Sequence, residues 1–250
     1  MHVVFLGTGG YHPTDQRETN CVLIREAGIV LDAGTGFFRL SHYLQTPRLN
    51  ILLSHAHLDH LCGIVYLASV LERTATPVEH VALYTPPGVR EAVGTLFSEP
   101  FFAGSLEKLG VPVSFHEVGE GEFEIEGTMV KAMHLPHRSS GAWGYRLTKG
   151  FITIAYVTDT LISETVSPLL QNADLAICES YLRNRQKDEA AAMGHSYPLT
   201  VGQTAKRAGV KKLILTHINP ALENASSLIE ECSLFFPGAQ LAADNRIVEL

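Results

Sequence analysis

Several things are scarce in this chain, and each scarcity removes a class of protein. Cysteine occurs four times in 250 residues, at Cys21, Cys62, Cys178 and Cys232, with no Cys-x-x-Cys pair. That leaves no zinc ribbon and no dithiol redox motif. Three of the four sit in apolar contexts that suit small buried thiols, which points to a reducing, cytoplasmic setting. No uninterrupted apolar run reaches the ~18 residues of a membrane span. The opening Met1-His2-Val3-Val4-Phe5-Leu6-Gly7 lacks a basic leader and a cleavable apolar region, so no signal peptide is expected. Positive charge is in deficit: Lys and Arg number 19 against 26 Asp and Glu, a net charge of −7. A broadly basic nucleic-acid surface is therefore not expected, although a local basic groove is compatible. Gly7-Thr8-Gly9-Gly10 follows a strand-like run, but the full dinucleotide fingerprint is missing. It reads as a tight turn near the active face, with phosphate contact as an option.

What is present suits a globular α/β protein. The apolar share of 46% with 18% charged residues is enough to bury a sizeable core. No linker-like shift in composition divides the chain, so residues 1–250 are expected to form a single domain. Strands are expected at His2–Leu6, Cys21–Arg25, Gly28–Asp32, Asn50–Leu53, Val81–Thr85, Gly144–Leu147, Phe151–Val157, Asp174–Cys178, Lys212–Thr216 and Ile247–Leu250. Val111–Glu117, Glu122–Glu126 and Thr128–His134 read as an antiparallel meander. Helices are expected at Phe37–Leu44, Leu58–Arg73, Pro86 through Phe97, Ile162–Leu170, Thr200–Ala208 and Ala221–Phe235. The polar stretch Tyr181–Gly194 reads as a loop or a partly helical flap.

The chain is organised around Ser54-His55-Ala56-His57-Leu58-Asp59-His60. In extended backbone, residues two apart point to one side, so His55 and His57 can converge on one cation. A helix starting near Asp59 would turn Asp59 and His60 towards a second, and its dipole favours an acid in the first turn. Imidazole and carboxylate together suit zinc, with manganese and iron fitting a similar donor set. Three more residues of ligand type follow apolar runs: His137, Asp159 and His217.

The ordered series of motifs resembles the metallo-β-lactamase fold superfamily, and within it the ribonuclease Z-like and phosphodiesterase branch. The matching pieces are Gly7-Thr8-Gly9-Gly10, Leu31-Asp32-Ala33-Gly34, Ser54 to His60, His137 with Gly144-Tyr145-Arg146, Val157-Thr158-Asp159-Thr160, Gly194-His195-Ser196 and Leu215-Thr216-His217. The resemblance implies a four-layer αββα sandwich of two facing mixed β-sheets with two divalent metal ions at one edge. By position, His55, His57 and His137 would hold one metal, Asp59, His60 and His217 the other, and Asp159 would bridge them. His134 competes with His137 for the same place. Asp32 matches an aspartate that supports the site from behind the ligands; a turn former before Gly34 is the alternative reading. His195 matches a histidine that the ribonuclease Z-like branch adds, and Glu179 is placed to orient it.

The chemistry implied is hydrolysis. A water activated between two metals attacks a phosphodiester, His195 protonates the leaving oxygen, Glu179 stabilises the charged imidazole, and Asp59 can take a proton from the nucleophile. Ribonuclease Z carries a long arm that grips tRNA, inserted after the strand matching Gly144-Tyr145-Arg146. Here only a short turn at Lys149-Gly150 is available. A small or single-stranded phosphodiester is therefore the first substrate expectation. The alternatives are tRNA 3′-processing, lactone or thioester hydrolysis, and a non-catalytic metal-binding carrier. Arg183, Arg185 and Lys187 form a modest basic cluster near His195 that either grips phosphate or is a solvated loop. The resemblance also suggests a homodimer, with Phe101-Phe102 as a hint of an exposed apolar patch. No membrane partner is expected.

Overall fold

A computed structural model describes residues 1–102 and 104–250. Fourteen strands occur in it among the described residues. In chain order they are β1 (His2–Gly7), β2 (Cys21–Ile24), β3 (Ile29–Leu31), β4 (Arg48–Leu52), β5 (His80–Thr85), β6 (Val113–Glu117), β7 (Gly121–Ile125), β8 (Thr128–Leu135), β9 (Ala142–Lys149), β10 (Ile152–Val157), β11 (Leu175–Glu179), β12 (Lys212–Thr216), β13 (Gln240–Leu241) and β14 (Ile247–Glu249). The chain divides into two compact units, one of residues 1–119 with 243–249, the other of residues 120–242 with Leu250.

Each unit is built on one seven-stranded mixed sheet. The first runs β14-β1-β2-β3-β4-β5-β6 and the second β13-β12-β11-β10-β9-β8-β7. The pairing pattern repeats. In the first unit β14 through β3 pair antiparallel and β3 through β6 pair parallel. In the second, β7 through β10 pair antiparallel and β10 through β13 pair parallel. The central parallel strands are largely buried, as strands covered on both faces are; β11, Leu-Ala-Ile-Cys-Glu, is buried throughout, while β6 at the sheet edge has no buried residue. The first unit's core gathers Val4, Leu6, Leu23, Val30, Phe37, Ile51, Leu53, Ile64 and Leu83. The second gathers Leu135, Ala155, Val157, Ile162, Leu169, Cys178, Val201, Leu215 and Leu228.

Several expected elements take a different form. β6 does not join a meander with β7 and β8; it lies parallel to β5, with Val81 opposite Val113. Alternation identifies a strand but not its partner, and the two sheets change over in the few residues between Glu117 and Gly121. The expected helix at Phe37–Leu44 is a 3-10 helix, Thr35–His42, where Gly36 lowers helix propensity. The long helix expected over Leu58–Arg73 is three pieces: α-helical Leu58–Leu61, 3-10 Cys62–Tyr66 and α-helical Leu67–Arg73. The break has a cause. Gly63 donates its N–H to the Ala33 carbonyl at 2.8 Å instead of to its own helix.

Ile162–Leu170 also divides, into a 3-10 turn, Glu164–Val166, and a helix, Ser167–Leu170, that takes Pro168 in its first turn, where a missing N–H costs nothing. The flap contains a 3-10 turn, Asn184–Gln186, and a helix, Lys187–Met193. The last helix is shorter than expected, Ser226–Ser233, because Asn224 turns the chain by accepting from the Ser226 N–H and hydroxyl. β13, two residues long, is too short for any periodicity to reveal.

Candidate metal centre

In the first unit, the chain turns as soon as β3 ends. Asp32 has φ of +58°, a left-handed conformation that aspartate tolerates better than most residues. The turn places a fully buried carboxylate against the segment leaving β4. Asp32 Oδ1 accepts the Ser54 N–H at 2.7 Å, and Oδ2 accepts from the Ser54 hydroxyl at 2.9 Å and from His60 Nδ1 at 2.7 Å. Ser54 Oγ also lies 2.9 Å from His55 Nδ1. Asp32 therefore has a partner set of its own and is more than a turn former.

The His55 ring centroid is 4.4 Å from those of both His57 and His60, and His55 and His57 can each bring a ring nitrogen within 4.8 Å of the other. His55 is buried and His57 exposed. Asp59 sits in the first turn of Leu58–Leu61, its Oδ2 accepting the Tyr11 N–H at 2.7 Å and lying 3.4 Å from His60 Nε2. That helix is held in place by backbone contact: the Ala33 N–H donates to His60 O at 2.7 Å. The Gly-rich turn before it is already occupied, since the Thr8 and Gly9 amides both donate to Glu18 O at 2.9 and 2.8 Å. Those two amides are not a phosphate cradle.

In the second unit the equivalent turn follows β10. Asp159 again has positive φ, +52°, as does His217 after β12, +55°. Strained backbone of this kind persists where surrounding structure over-determines it, often at functional sites. Thr158 Oγ1 donates to Asp159 Oδ2 at 2.7 Å. His137 Nε2 is 3.7 Å from Asp159 Oδ1, and His217 Nε2 is 3.5 Å from Oδ2. His137 Nδ1 donates to the Gly194 carbonyl at 3.1 Å, and Gly194 ends the preceding helix at φ +74°. Burial pushes the His137 imidazole below its ordinary value, with Asp159 opposing; the neutral ring is the ligand form. His134, the competitor, is exposed and packs its ring edge-on to Trp143 at 5.7 Å.

Beside Asp159 lies the second pair. His195 Nδ1 is 2.9 Å from Glu179 Oε2, and 3.9 Å from Asp159 Oδ1. Glu179 is fully buried and also accepts the Thr160 N–H at 2.7 Å. Burial alone would raise its carboxyl, but the His195 charge and hydrogen bonds from His195 and His217 outweigh that and hold it low. Asp159, His195 and His217 each bring a donor atom within 4.8 Å of the others.

Two supports of this pair and one of His137 escaped sequence reasoning. Tyr181 stacks on His195 at 4.3 Å and 21°; a tyrosine two residues past an acid carries no signal. Ser196 Oγ donates to Thr160 O and accepts the Ile162 N–H, at 2.6 and 2.8 Å, locking the His195 segment to the loop after β10. The Gly194 carbonyl is invisible in any residue pattern.

The basic cluster is partly committed: Arg183 Nε donates to Glu231 Oε1 at 2.7 Å, while Arg185 and Lys187 are exposed. Phe101 is exposed, whereas Phe102 packs on Phe97. All four cysteines are free thiols. No helix among the described residues is long and apolar enough to cross a membrane.

Each unit thus gathers imidazoles and carboxylates in the loops that follow its strands, and that donor chemistry fits a divalent cation such as zinc. Two seven-stranded mixed sheets with such residues define a metallo-β-lactamase-type α/β fold. A solved metallo-beta-lactamase fold protein, YhfI from Bacillus subtilis, matches with a TM-score of 0.81 at 21% identity over 99% of both chains. The short form of human tRNase Z matches at 0.78, with 23% identity over 100% of this chain and 99% of that one. A diphosphatase from the PhnP family matches at 0.73, with 19% identity over 100% and 97%.

The family model of the beta-lactamase superfamily domain matches residues 28–218, and the chain belongs to that family. Relatives include a ribonuclease Z from Synechococcus sp. (strain CC9311), 28% identical over 98% of this chain and 97% of that one. A ribonuclease Z from Methanothermobacter thermautotrophicus is 26% identical over 100% and 97%. The first alignment runs over 313 positions, more than the 250 residues here, so that relative carries segments this chain lacks.

Proposed function

We propose that this chain is a metal-dependent hydrolase that cleaves small or single-stranded phosphodiesters with two divalent cations. Its two units act as one domain. His55, His57 and His137 would hold one cation and Asp59, His60 and His217 the other, with Asp159 shared between them; zinc suits the donors best. Bound there, such a pair lowers the pKa of a shared water and offsets charge on phosphate oxygens.

The chain's own groups supply the rest. The observation that carries the reading is the Glu179–His195 pair, 2.9 Å apart and beside Asp159. With Nδ1 turned to a buried carboxylate, His195 is left with Nε2 to hand a proton to a leaving oxygen. Glu179, held low, stays anionic and stabilises the imidazolium that does so. Asp59 has one carboxylate oxygen engaged by the Tyr11 N–H and is positioned to accept a proton from the attacking water. A lactone or thioester needs less help at its leaving group, so the pair argues for phosphodiesters.

Substrate size follows from one hairpin. β9 and β10 are joined by Gly150 and Phe151 alone, with Lys149 opposite Ile152, so no tRNA-gripping arm is inserted there. The second reading, tRNA 3′-processing, is favoured by the ribonuclease Z relatives, which align along nearly all of this chain. Four free thiols, three of them buried, suit a cytoplasmic setting, and exposed Phe101 suits a homodimer contact.

The test is metal analysis of purified protein, followed by assay on bis(p-nitrophenyl) phosphate, a cyclic nucleotide, a precursor tRNA and a lactone. The expected result is two metals per chain and turnover of the first two substrates. Cleavage of precursor tRNA at its 3′ end would establish the second reading. Turnover of the lactone alone, or no metal uptake, would overturn both.

A further inference from the structure

We propose that Ser54 is a positioning residue through which the single carboxylate of Asp32 sets the tautomers of two histidines, His60 directly and His55 by relay. The inference deepens the metal-site reading above and rests on it only for the purpose the orientation serves.

Proton counting carries it. Three donors are aimed at Asp32: the Ser54 N–H at 2.7 Å, the Ser54 hydroxyl at 2.9 Å and His60 Nδ1 at 2.7 Å. An ionised carboxylate only accepts, so His60 carries its proton on Nδ1 and presents Nε2. The Ser54 hydroxyl has one proton, and it goes to Asp32 Oδ2. Its oxygen can then only accept from His55 Nδ1, 2.9 Å away. His55 is thereby fixed with Nδ1 protonated and Nε2 bearing the lone pair. In the opposite arrangement the hydroxyl would donate to His55. Two lone-pair-bearing oxygens, Ser54 Oγ and Asp32 Oδ2, would then face each other at 2.9 Å. Asp32, Ser54 and His60 are fully buried and His55 nearly so, where an unmade hydrogen bond is expensive.

The arrangement gives Ser54 a role that its place at the head of the histidine motif does not reveal. It makes His55 and His60, whose rings lie 4.4 Å apart, present the same ring nitrogen from one shared anchor. Groups that orient a metal-binding imidazole in this way are typically worth about 10–100-fold in metal affinity.

The experiment is long-range 1H–15N correlation spectroscopy of the histidine rings in 15N-labelled, metal-free protein, paired with zinc competition against a chromophoric chelator. In the wild type, His55 and His60 are both expected as the Nδ1-protonated tautomer. Ser54→Ala should release His55 from that single tautomer, leave His60 unchanged, and weaken one of two zinc-binding events by about 10–100-fold. Ser54→Thr should restore both readouts. A wild-type His55 protonated on Nε2 overturns the proposal without any variant, which matters if Ser54→Ala fails to fold. So does a Ser54→Ala protein with unchanged His55 signals and unchanged zinc affinity. If the wild type shows the expected tautomers but binds no zinc, the proposed function fails while the orientation of His55 stands.

Discussion

At the scale of single residues, His195 is where the proposed chemistry is most exposed to test. A proton donor matters most when the leaving group is poor. His195→Ala should cost about 10²–10⁴-fold in kcat on an unactivated diester, distinctly less on p-nitrophenyl esters, and leave metal content unchanged. Steady-state assays on both substrates and metal analysis of the variant check this. Tyr181 should behave as its support. Its ring lies flat against the imidazole, so Tyr181→Phe should keep activity on the unactivated substrate. Tyr181→Leu should lose it, with the same dependence on leaving group. Equal losses on both substrates would mean that Tyr181 only maintains the fold.

At the scale of elements, the most constrained contact is the one that breaks the helix after the histidine motif. A Cβ at Gly63 would come within 2.0 Å of the Gly34 carbonyl oxygen and 2.8 Å of that of Ala33. Both are backbone atoms and cannot rotate away. Gly63→Ala should therefore destabilise the protein by about 1–3 kcal/mol, the usual range for overpacking. It should also disturb Asp59 and His60, whose helix packs on the same turn. Chemical denaturation and zinc affinity would register the two effects, and a variant as stable as the wild type would contradict the close approach. The β9–β10 hairpin is the complementary case. Phe151 at its tip is fully exposed, so an insertion there would displace no buried side chain.

At the scale of the whole molecule, pH and metal are the two levers. His137 is held below its ordinary value, chiefly by burial. The unfolded chain therefore takes up a proton that the folded chain refuses as pH falls below about 6.5, and stability drops there. Glu26, which accepts from both the backbone amide and the ring of His2, is lowered to about 2; burial opposes the shift and the hydrogen bonds from His2 outweigh it. Glu179 is lowered as well. For both carboxylates the stabilisation is present above about 4.5 and is lost as pH falls towards the folded value. Thermal melts of metal-free protein should fall in two stages, the first below pH 6.5 and the second below 4.5. A melting temperature flat from pH 7 to 5 would contradict the burial of His137. If both units supply ligands, metal at a hundred times its dissociation constant should add about 2.7 kcal/mol, and a chelator should lower the melting temperature of the whole chain.

Much of this was legible without coordinates. His55, His57, Asp59 and His60 stand within six residues, and chain connectivity alone keeps them together. Asp159 and His217 each follow an apolar run, because a buried strand with parallel neighbours is apolar and a site residue can stand where it ends; His137 follows β8, whose inward face is apolar. The metallo-β-lactamase-type fold and the family follow from the order of those motifs. What the sequence could not decide are contacts made across the chain's turns: β6 pairing with β5 rather than β7, Gly63 giving its N–H to Ala33, Arg183 spent on Glu231, and Tyr181 lying on His195. That Asp32 does more than turn the chain depends on Ser54 and His60 donating to its two oxygens, contacts that exist only in the fold. Periodicity reports which face of an element is apolar, and a motif reports which donors are near in sequence. Partner choice depends on distances between segments remote along the chain, and those exist only once the sheets have formed.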